Sequence, residues 1–325
     1  MPDWFQPTIT LFPLVAWMFL GVGLPWALAL LPRTLWRDRI TVLALALALG
    51  PLGLTAVMFA LGTAGSLTLA GTLLGSGLLA LMGAGLAWRQ RARRADDEAL
   101  HIDPAPPPGR FERLLIAGIV LVLLANVVIT AYWPFVAYDP LWVYGYNARI
   151  FVLEERIPDE MGYYPQLLPL AYTYLQQAWG GINDHAARVV IPWLNVTLVL
   201  MAYVLGWRVF RSRRVGLLTA AIWSFYPHFA AWYAAGDLEI PLTLYLTGAA
   251  AFFVEAWRSE RIRLAVISGM LLGGALWTKP TAGALVLGVM LAVAAWAIIV
   301  RLRWRALWPK LRIALAAGLA TVPLG

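Results

Sequence analysis

The sequence predicts an all-α, polytopic transmembrane bundle of about ten helical spans. Hydrophobic residues make up 61% of the chain and charged residues 13%, which is roughly half the charged fraction of a soluble domain. The apolar residues form runs of about 20 residues, long enough to cross a bilayer as helices. Arginines gather in the polar segments after alternate runs, as positive-inside sorting requires.

Composition also excludes several functional classes. The chain has no cysteine, which rules out disulfides, thiol catalysis and thiolate metal sites. Its formal net charge of +8 would suggest nucleic acid as the partner of a soluble protein. Because the arginines lie at the ends of apolar runs, we attribute the charge to membrane sorting and predict no nucleic-acid partner.

Three spans come first, and we interpret residues 1–88 as an accessory membrane module. Their apolar runs lie at residues 8–31, 40–61 and 67–88. Arg33 and Arg37 follow the first run, so that turn is predicted on the cytoplasmic side and the N-terminus outside. Residues 89–113 are basic and then proline-rich, which predicts an extended cytoplasmic linker.

A second membrane module is predicted over residues 114–325. Its first apolar runs lie at residues 114–133, 186–207, 215–233 and 240–257. Residues 264–300 lie between two arginine-rich segments and are long enough for two spans, which predicts an outer turn at residues 277–281. A last run begins near Ile313 and stops short of a full span, so we expect the chain to be the N-terminal part of a longer protein.

The predicted outer segments are residues 134–185, 234–239 and 277–281, and together they hold most of the outward acids and the only outward lysine. Asp139 follows a span by six residues, and an acid at the membrane–water boundary suits a general base. The alternative is an aspartate that caps a short interfacial helix.

Asp237 and Glu239 stand in the short turn GDLEIP, and we predict both in the catalytic site. Acids this close to hydrocarbon destabilise the fold unless they are paired, hydrated or serve a function. They would also be the ligands of a divalent cation, the one cofactor that the sequence leaves open. The alternative is a polar turn in which Gly236 supplies the bend.

Cations are predicted to bind a phosphate at two positions. Lys279, in TKP, lies at an outer helix end and would neutralise a phosphate leaving group; the alternative is a lysine that snorkels to headgroups. Arg149 lies in an aromatic-rich interfacial helix and would bind phosphate in bidentate fashion. The alternatives for Arg149 are an ion pair with Glu154 or contact with headgroups.

A substrate pocket is predicted from Tyr164, Gln166 and His228. Tyr164 and Gln166 lie in YYPQLLP, where they would line a sugar pocket. Tyrosine at this depth is also a common membrane-interface anchor. His228, in FYPHF, lies near the outer end of its span, and its alternative is a structural hydrogen bond.

From Leu114 onward the chain resembles the GT-C superfamily of polytopic glycosyltransferases, which includes the protein O-mannosyltransferases and the bacterial aminoarabinose transferases. The resemblance rests on four segments in order, YDPLWVYGYNARIF, YPQLLPL, GDLEIPL and LWTKPTAG. It implies a polyprenyl-phosphate sugar as donor, used at the outer face of the cytoplasmic membrane, with Asp139 as base. It further implies Lys279 and Arg149 at the lipid phosphate. Asp237 and Glu239 would face the acceptor, bind a metal or act in positioning.

Two other functions stay open at this point. One is a non-catalytic membrane scaffold or subunit, and the other is a transporter of a lipid-linked sugar. A transporter is expected to carry ionisable groups near the bilayer midplane, whereas the acids here gather toward one face. No residue pattern in the sequence identifies the sugar or the acceptor.

Overall fold

A computed structural model describes residues 2–92, 108–161, 166–226, 234–299 and 304–321. Over these residues the regular structure is entirely helical, which confirms the predicted fold class. The helices are α1 (Gln6–Thr10), α2 (Phe12–Ala16), α3 (Gly23–Leu30), α4 (Arg39–Thr63), α5 (Leu69–Ala92), α6 (Arg110–Tyr132), α7 (Gly145–Glu154), α8 (Leu167–Trp179), α9 (Asp184–Arg188), α10 (Val190–Phe210), α11 (Arg213–Phe225), α12 (Glu239–Ser259), α13 (Ile262–Thr278), α14 (Ala282–Ile299) and α15 (Trp304–Thr321).

Seven of the described helical segments are long and apolar enough to cross a membrane, fewer than the ten expected. They are Phe12–Leu30, Arg39–Thr63, Leu69–Arg91, Arg110–Tyr132, Asp184–Phe210, Glu239–Ser259 and Ala282–Ile299. Helix α13 is apolar but shorter, and the span expected at residues 215–233 is described only as far as residue 226. The predicted turn at residues 277–281 is confirmed, since α13 ends at Thr278 and α14 begins at Ala282.

Segments that were predicted on the same side of the membrane contact one another. At the arginine-rich end, Arg208 lies 2.5 Å from Asp38 and Arg211 lies 2.9 Å from Glu255. At the opposite end, the turn after α4 contacts the segment after α7, because the Leu67 N–H donates to the Glu155 carbonyl at 2.7 Å. The bundle therefore has two chemically distinct ends, in agreement with the alternation of arginines along the chain.

Helix α4 lies inside the bundle although it belongs to the predicted accessory module. Most of its residues are buried, and it packs against α10, α12 and α13 as well as α3 and α5. The Tyr245 hydroxyl of α12 donates to the Ala48 carbonyl of α4 at 3.1 Å. The Gln177 amide of α8 donates to the Leu67 carbonyl at 2.6 Å. Residues 2–92 thus share one packed interior with the helices that follow.

A buried ion pair joins α4 to α10 at the arginine-rich end. The Asp38 carboxylate caps α4 by accepting from the Thr41 N–H at 3.1 Å and from the Thr41 hydroxyl at 2.6 Å. The Arg208 guanidinium donates to Asp38 and, at 3.0 Å, to the Thr41 hydroxyl. Both charged side chains are almost fully buried. A paired, hydrogen-bonded charge is tolerated there, whereas a single one would be costly.

We expect Arg208→Met to destabilise the protein strongly, because it leaves the Asp38 carboxylate buried without its cation. Breaking a buried pair from one side costs about 3–5 kcal/mol. Arg214→Met is the control, since Arg214 is 79% exposed and lies 3.6 Å from Glu112, a geometry worth about 0–1 kcal/mol. Thermal unfolding in detergent measures both variants, and equal losses would contradict a special role for the buried pair.

Candidate active site

A buried arginine fixes the turn at residues 234–238. The Arg188 side chain is fully buried at the end of α9. Its guanidinium donates to the carbonyls of Ala234 and Ala235, and its Nε donates to the Thr130 carbonyl of α6 at 3.2 Å. Since these bonds satisfy donors that would otherwise be buried without partners, the turn, α6 and α9 are held together by one side chain.

Gly236 occupies the tightest point of this turn. Its φ of +80° lies in the left-handed region, where a side chain is disfavoured. A Cβ at this position would lie 2.9 Å from both the Ile191 Cδ1 and the Tyr172 hydroxyl. That hydroxyl donates to the Gly236 carbonyl at 2.6 Å. Burial raises the pKa of Tyr172, so the phenol remains a hydrogen-bond donor.

Phe135 brings the segment that carries Asp139 next to the turn. Its buried ring lies 5.0 Å from the ring of Tyr172. A Cβ added at Gly145 would lie 3.1 Å from Phe135 Cε2, and one added at Gly236 would lie 3.1 Å from Phe135 Cε1. The ring is therefore wedged between the backbone on both sides, and Asp139 is held beside the acidic turn.

Four predicted site residues gather here, and we call Asp139, Asp237, Glu239 and Lys279 the carboxylate–lysine cluster. The Lys279 ammonium lies 3.4 Å from Glu239 Oε1. Burial raises the pKa of Asp237 to about 6. The neighbouring Glu239 and Asp139 carboxylates add to this rise, and the hydrogen bond from the Leu238 N–H opposes it. The structure thus links the four groups in a chain: Lys279 contacts Glu239, and Asp237 feels the charges of both Glu239 and Asp139.

The order of the helices explains why residues far apart in sequence meet in this cluster. Glu239 is the first residue of α12, and Lys279 follows the last residue of α13. Because α12 and α13 pack as an antiparallel hairpin, the start of one lies beside the end of the other. An acid at a helix start and a cation at a helix end are both favoured by the helix dipole. Both side chains remain about one-third exposed.

Asp139 is half-buried and precedes a π-helical turn, Pro140–Tyr144, that leads into α7. Its side chain makes no capping hydrogen bond to that turn. The interpretation of Asp139 as a helix cap is therefore wrong, and the carboxylate is left for other partners. Its role as a base stays a prediction.

Arg149 binds a carboxylate that the sequence analysis did not consider. One terminal nitrogen lies 2.7 Å and 3.0 Å from the two oxygens of Asp184, at the start of α9. The alternative pairing of Arg149 with Glu154 is wrong, because Glu154 pairs with Arg156 at 3.0 Å. A phosphate role for Arg149 stays a prediction, and the guanidinium would have to share or leave Asp184 to perform it.

The predicted substrate pocket is described only in part. Gln166 is buried, and its amide donates to the Met161 carbonyl at 2.8 Å. Tyr164 and His228 lie outside the described residues. Among the residues that the structure describes, no group of three or more His, Asp or Glu side chains is placed to hold a metal ion. Asp237 and Glu239 as metal ligands stay a prediction.

Sequence reasoning missed Arg188, Tyr172 and Phe135, which position the cluster without belonging to it. The sequence does carry a signal for Arg188. Arg188 is the third residue of the predicted span at residues 186–207, where an unpaired charge is expensive and therefore informative. Tyr172 and Phe135 carry no comparable signal, because aromatic residues are common throughout this chain.

Fold and site together define a multi-pass helical membrane protein with an acidic cluster and one lysine at one end of its bundle. Residues 169–324 match the family described as dolichyl-phosphate-mannose-protein mannosyltransferase. This match confirms the resemblance to GT-C glycosyltransferases and supports a membrane glycosyltransferase. The matched range contains Asp237, Glu239 and Lys279 and begins after Asp139. Comparison with curated proteins gave no match, and neither did comparison with solved structures.

We expect Gly236→Ala to disrupt the site, because its Cβ would press against Tyr172 and Ile191. Gly65→Ala is a matched control, since Gly65 has a φ of +72° and open space around the added Cβ. Both variants carry similar backbone strain, so crowding should cost Gly236→Ala about 1–3 kcal/mol more. Thermal unfolding in detergent measures this difference. Similar losses in the two variants would show that the turn is not packed as described.

Proposed function

We propose that this protein transfers a sugar from a polyprenyl-phosphate donor to an acceptor at the outer face of the cytoplasmic membrane. The observation that carries the proposal is the convergence of Asp139, Asp237, Glu239 and Lys279 at one end of the bundle. The family match over residues 169–324 supports the reaction class. A donor with a long isoprenoid tail stays in the bilayer, so its phosphate must meet the protein at headgroup depth, where these residues are expected to lie.

In the proposed reaction, an acceptor hydroxyl or amine attacks the anomeric carbon of the sugar. The new bond forms as the bond from that carbon to the phosphate oxygen breaks, and the electron pair leaves with polyprenyl phosphate. The acceptor proton passes to the Asp139 carboxylate. Attack in line with the leaving group inverts the anomeric centre. A phosphate leaves readily when a cation stabilises it, so the reaction needs a base and a cation more than a general acid.

Between the two predicted phosphate cations, the geometry favours Lys279. Its contact with Glu239 is long, at 3.4 Å, and its side chain is 29% exposed. A lysine on a flexible stem can turn toward an arriving phosphate. Arg149 is instead held by both oxygens of Asp184 at 2.7 Å and 3.0 Å. We therefore assign binding of the leaving phosphate to Lys279 and give Arg149 no more than a secondary contact with it.

Asp237 and Glu239 suit the acceptor better than the donor. Two carboxyl groups side by side repel an anionic donor and attract an amine or bind a hydroxyl. The raised pKa of Asp237, about 6, means that this carboxyl stays protonated up to a higher pH than an ordinary aspartate. The two acids thus orient the acceptor, while Asp139 accepts its proton. A pair of acids with different environments commonly divides roles in this way.

The location of the buried charges favours transfer chemistry over transport. On the described helices, buried charged side chains lie close to helix ends rather than midway along the spans. They are Glu112 of α6, Arg188 of α9, Arg208 of α10 and Glu255 of α12. An ion-coupled transporter would be expected to place such groups near the midplane.

We expect Asp139→Asn to reduce sugar transfer by about 10²–10⁴-fold, the usual contribution of a general base. The assay follows release of polyprenyl phosphate from radiolabelled polyprenyl-phosphate sugars in proteoliposomes. Asp159→Asn is the control, because Asp159 is an exposed acid in the same predicted outer segment. Transfer at the wild-type rate by a membrane-inserted Asp139→Asn protein would remove Asp139 from the mechanism.

We expect Lys279→Gln to weaken the binding of polyprenyl phosphate, the proposed leaving group, about 10- to 100-fold. This follows from about 1.5–3 kcal/mol for a hydrogen bond to a charged group. Lys310→Gln is the control, because Lys310 lies at the other end of the bundle, 2.9 Å from Glu260. Binding of radiolabelled polyprenyl phosphate to the solubilised protein measures both variants. Equal binding by all three proteins would refute the assignment of Lys279.

A further inference from the structure

A groove between α3 and α5 lies apart from the carboxylate–lysine cluster. Its volume is about 390 Å³, within the range of about 300–1,000 Å³ that is typical of ligand sites. The lining residues are Leu20, Gly21, Leu24, Pro25, Leu28, Trp36, Ala84, Ala87, Trp88 and Arg91. Nine of these ten are apolar, aromatic or glycine, and the tenth is a cation. None of the lining residues is acidic.

Polar groups near the groove are turned toward the backbone, which keeps its wall apolar. The Trp36 indole N–H donates to the Leu31 carbonyl at 3.3 Å. The buried Gln90 amide donates to the same carbonyl at 3.0 Å. Leu24 and Leu28 of α3 and Ala84 and Ala87 of α5 supply hydrocarbon along the groove. Such a surface suits an alkyl chain.

Arg91 lies at one end of this groove and is preorganised for an anion. Its guanidinium carbon lies 5.6 Å from the centroid of the Trp36 ring, a cation–π contact that restrains the side chain. Among the described residues Arg91 has no ion-pair partner, and it is exposed. A guanidinium in this state matches the geometry of a phosphate.

We propose that the α3–α5 groove binds one anionic phospholipid of the surrounding bilayer, with an acyl chain along the apolar wall and the phosphate on Arg91. The charge argues for an anionic lipid over a zwitterionic one. The groove offers a cation and no acid, so the amine of a zwitterionic headgroup would find no partner there. This site is independent of the proposed transferase activity, because it shares no residue with the carboxylate–lysine cluster.

Lipid retention measured by native mass spectrometry tests the proposal. The full chain is purified and exchanged into detergent with phosphatidylglycerol or phosphatidylcholine as the probe. We expect the wild type to retain phosphatidylglycerol in preference to phosphatidylcholine. We expect Arg91→Gln to retain at least fivefold less phosphatidylglycerol than the wild type. Arg89→Gln is the matched control, because Arg89 is an exposed arginine on the same helix that does not line the groove.

A second variant tests the apolar part of the groove. Ala84→Trp fills it without changing the charge, and Ala84 is exposed, so the fold should tolerate the larger side chain. We expect it to lower phosphatidylglycerol retention as Arg91→Gln does, with unfolding temperatures in lipid-free detergent close to that of the wild type. Equal losses in Arg89→Gln and Arg91→Gln would overturn the proposal in favour of diffuse charge attraction. Equal wild-type retention of the two lipids would overturn it as well.

Discussion

The buried guanidinium of Arg188 is the interaction on which the rest of the site depends. Removing such a charge from water costs several kcal/mol unless its donors are satisfied. Here the donors reach the carbonyls of Thr130, Ala234 and Ala235, and the guanidinium lies 5.4 Å from the centroid of the Phe135 ring. The requirement that every donor find a partner fixes the acidic turn relative to α6 and α9, and so fixes where Asp237 lies.

Helix α8 extends this constraint across the same end of the bundle. Tyr172 holds the acidic turn, Tyr174 donates to the Leu14 carbonyl at 3.2 Å, and Gln177 donates to the Leu67 carbonyl at 2.6 Å. One helix therefore connects the site to the first part of the chain, which the family match does not include. This contact gives residues 2–92 a physical role, since they support the segments that present the cluster.

Charge balance then decides what the cluster is suited to bind. The cluster holds three carboxyl groups and one lysine, which contacts Glu239, while Arg149 and Arg188 are engaged with Asp184 and with backbone carbonyls. Burial, together with the neighbouring Glu239 and Asp139 carboxylates, raises the pKa of Asp237 to about 6. Under the proposed function, such a site would favour an acceptor with an amine or hydroxyl group, and an anionic donor would rely on Lys279.

The sequence by itself determined the helical membrane class, the turn around Lys279 and the grouping of Asp139, Asp237 and Glu239 at one end of the bundle. Hydropathy and arginine placement encode these features locally, because each follows from the preference of a short segment for lipid or water. Among the described residues seven helical segments are long and apolar enough to cross, and α13 is apolar but shorter.

Tertiary structure alone decided that α4 is central, that Asp184 pairs with Arg149, and that Arg188 and Tyr172 hold the acidic turn. The Arg188 and Tyr172 contacts to that turn join residues 46 to 64 positions apart. No periodic pattern marks such partners, since the pairing follows from how the helices pack and from the need to satisfy each buried polar group.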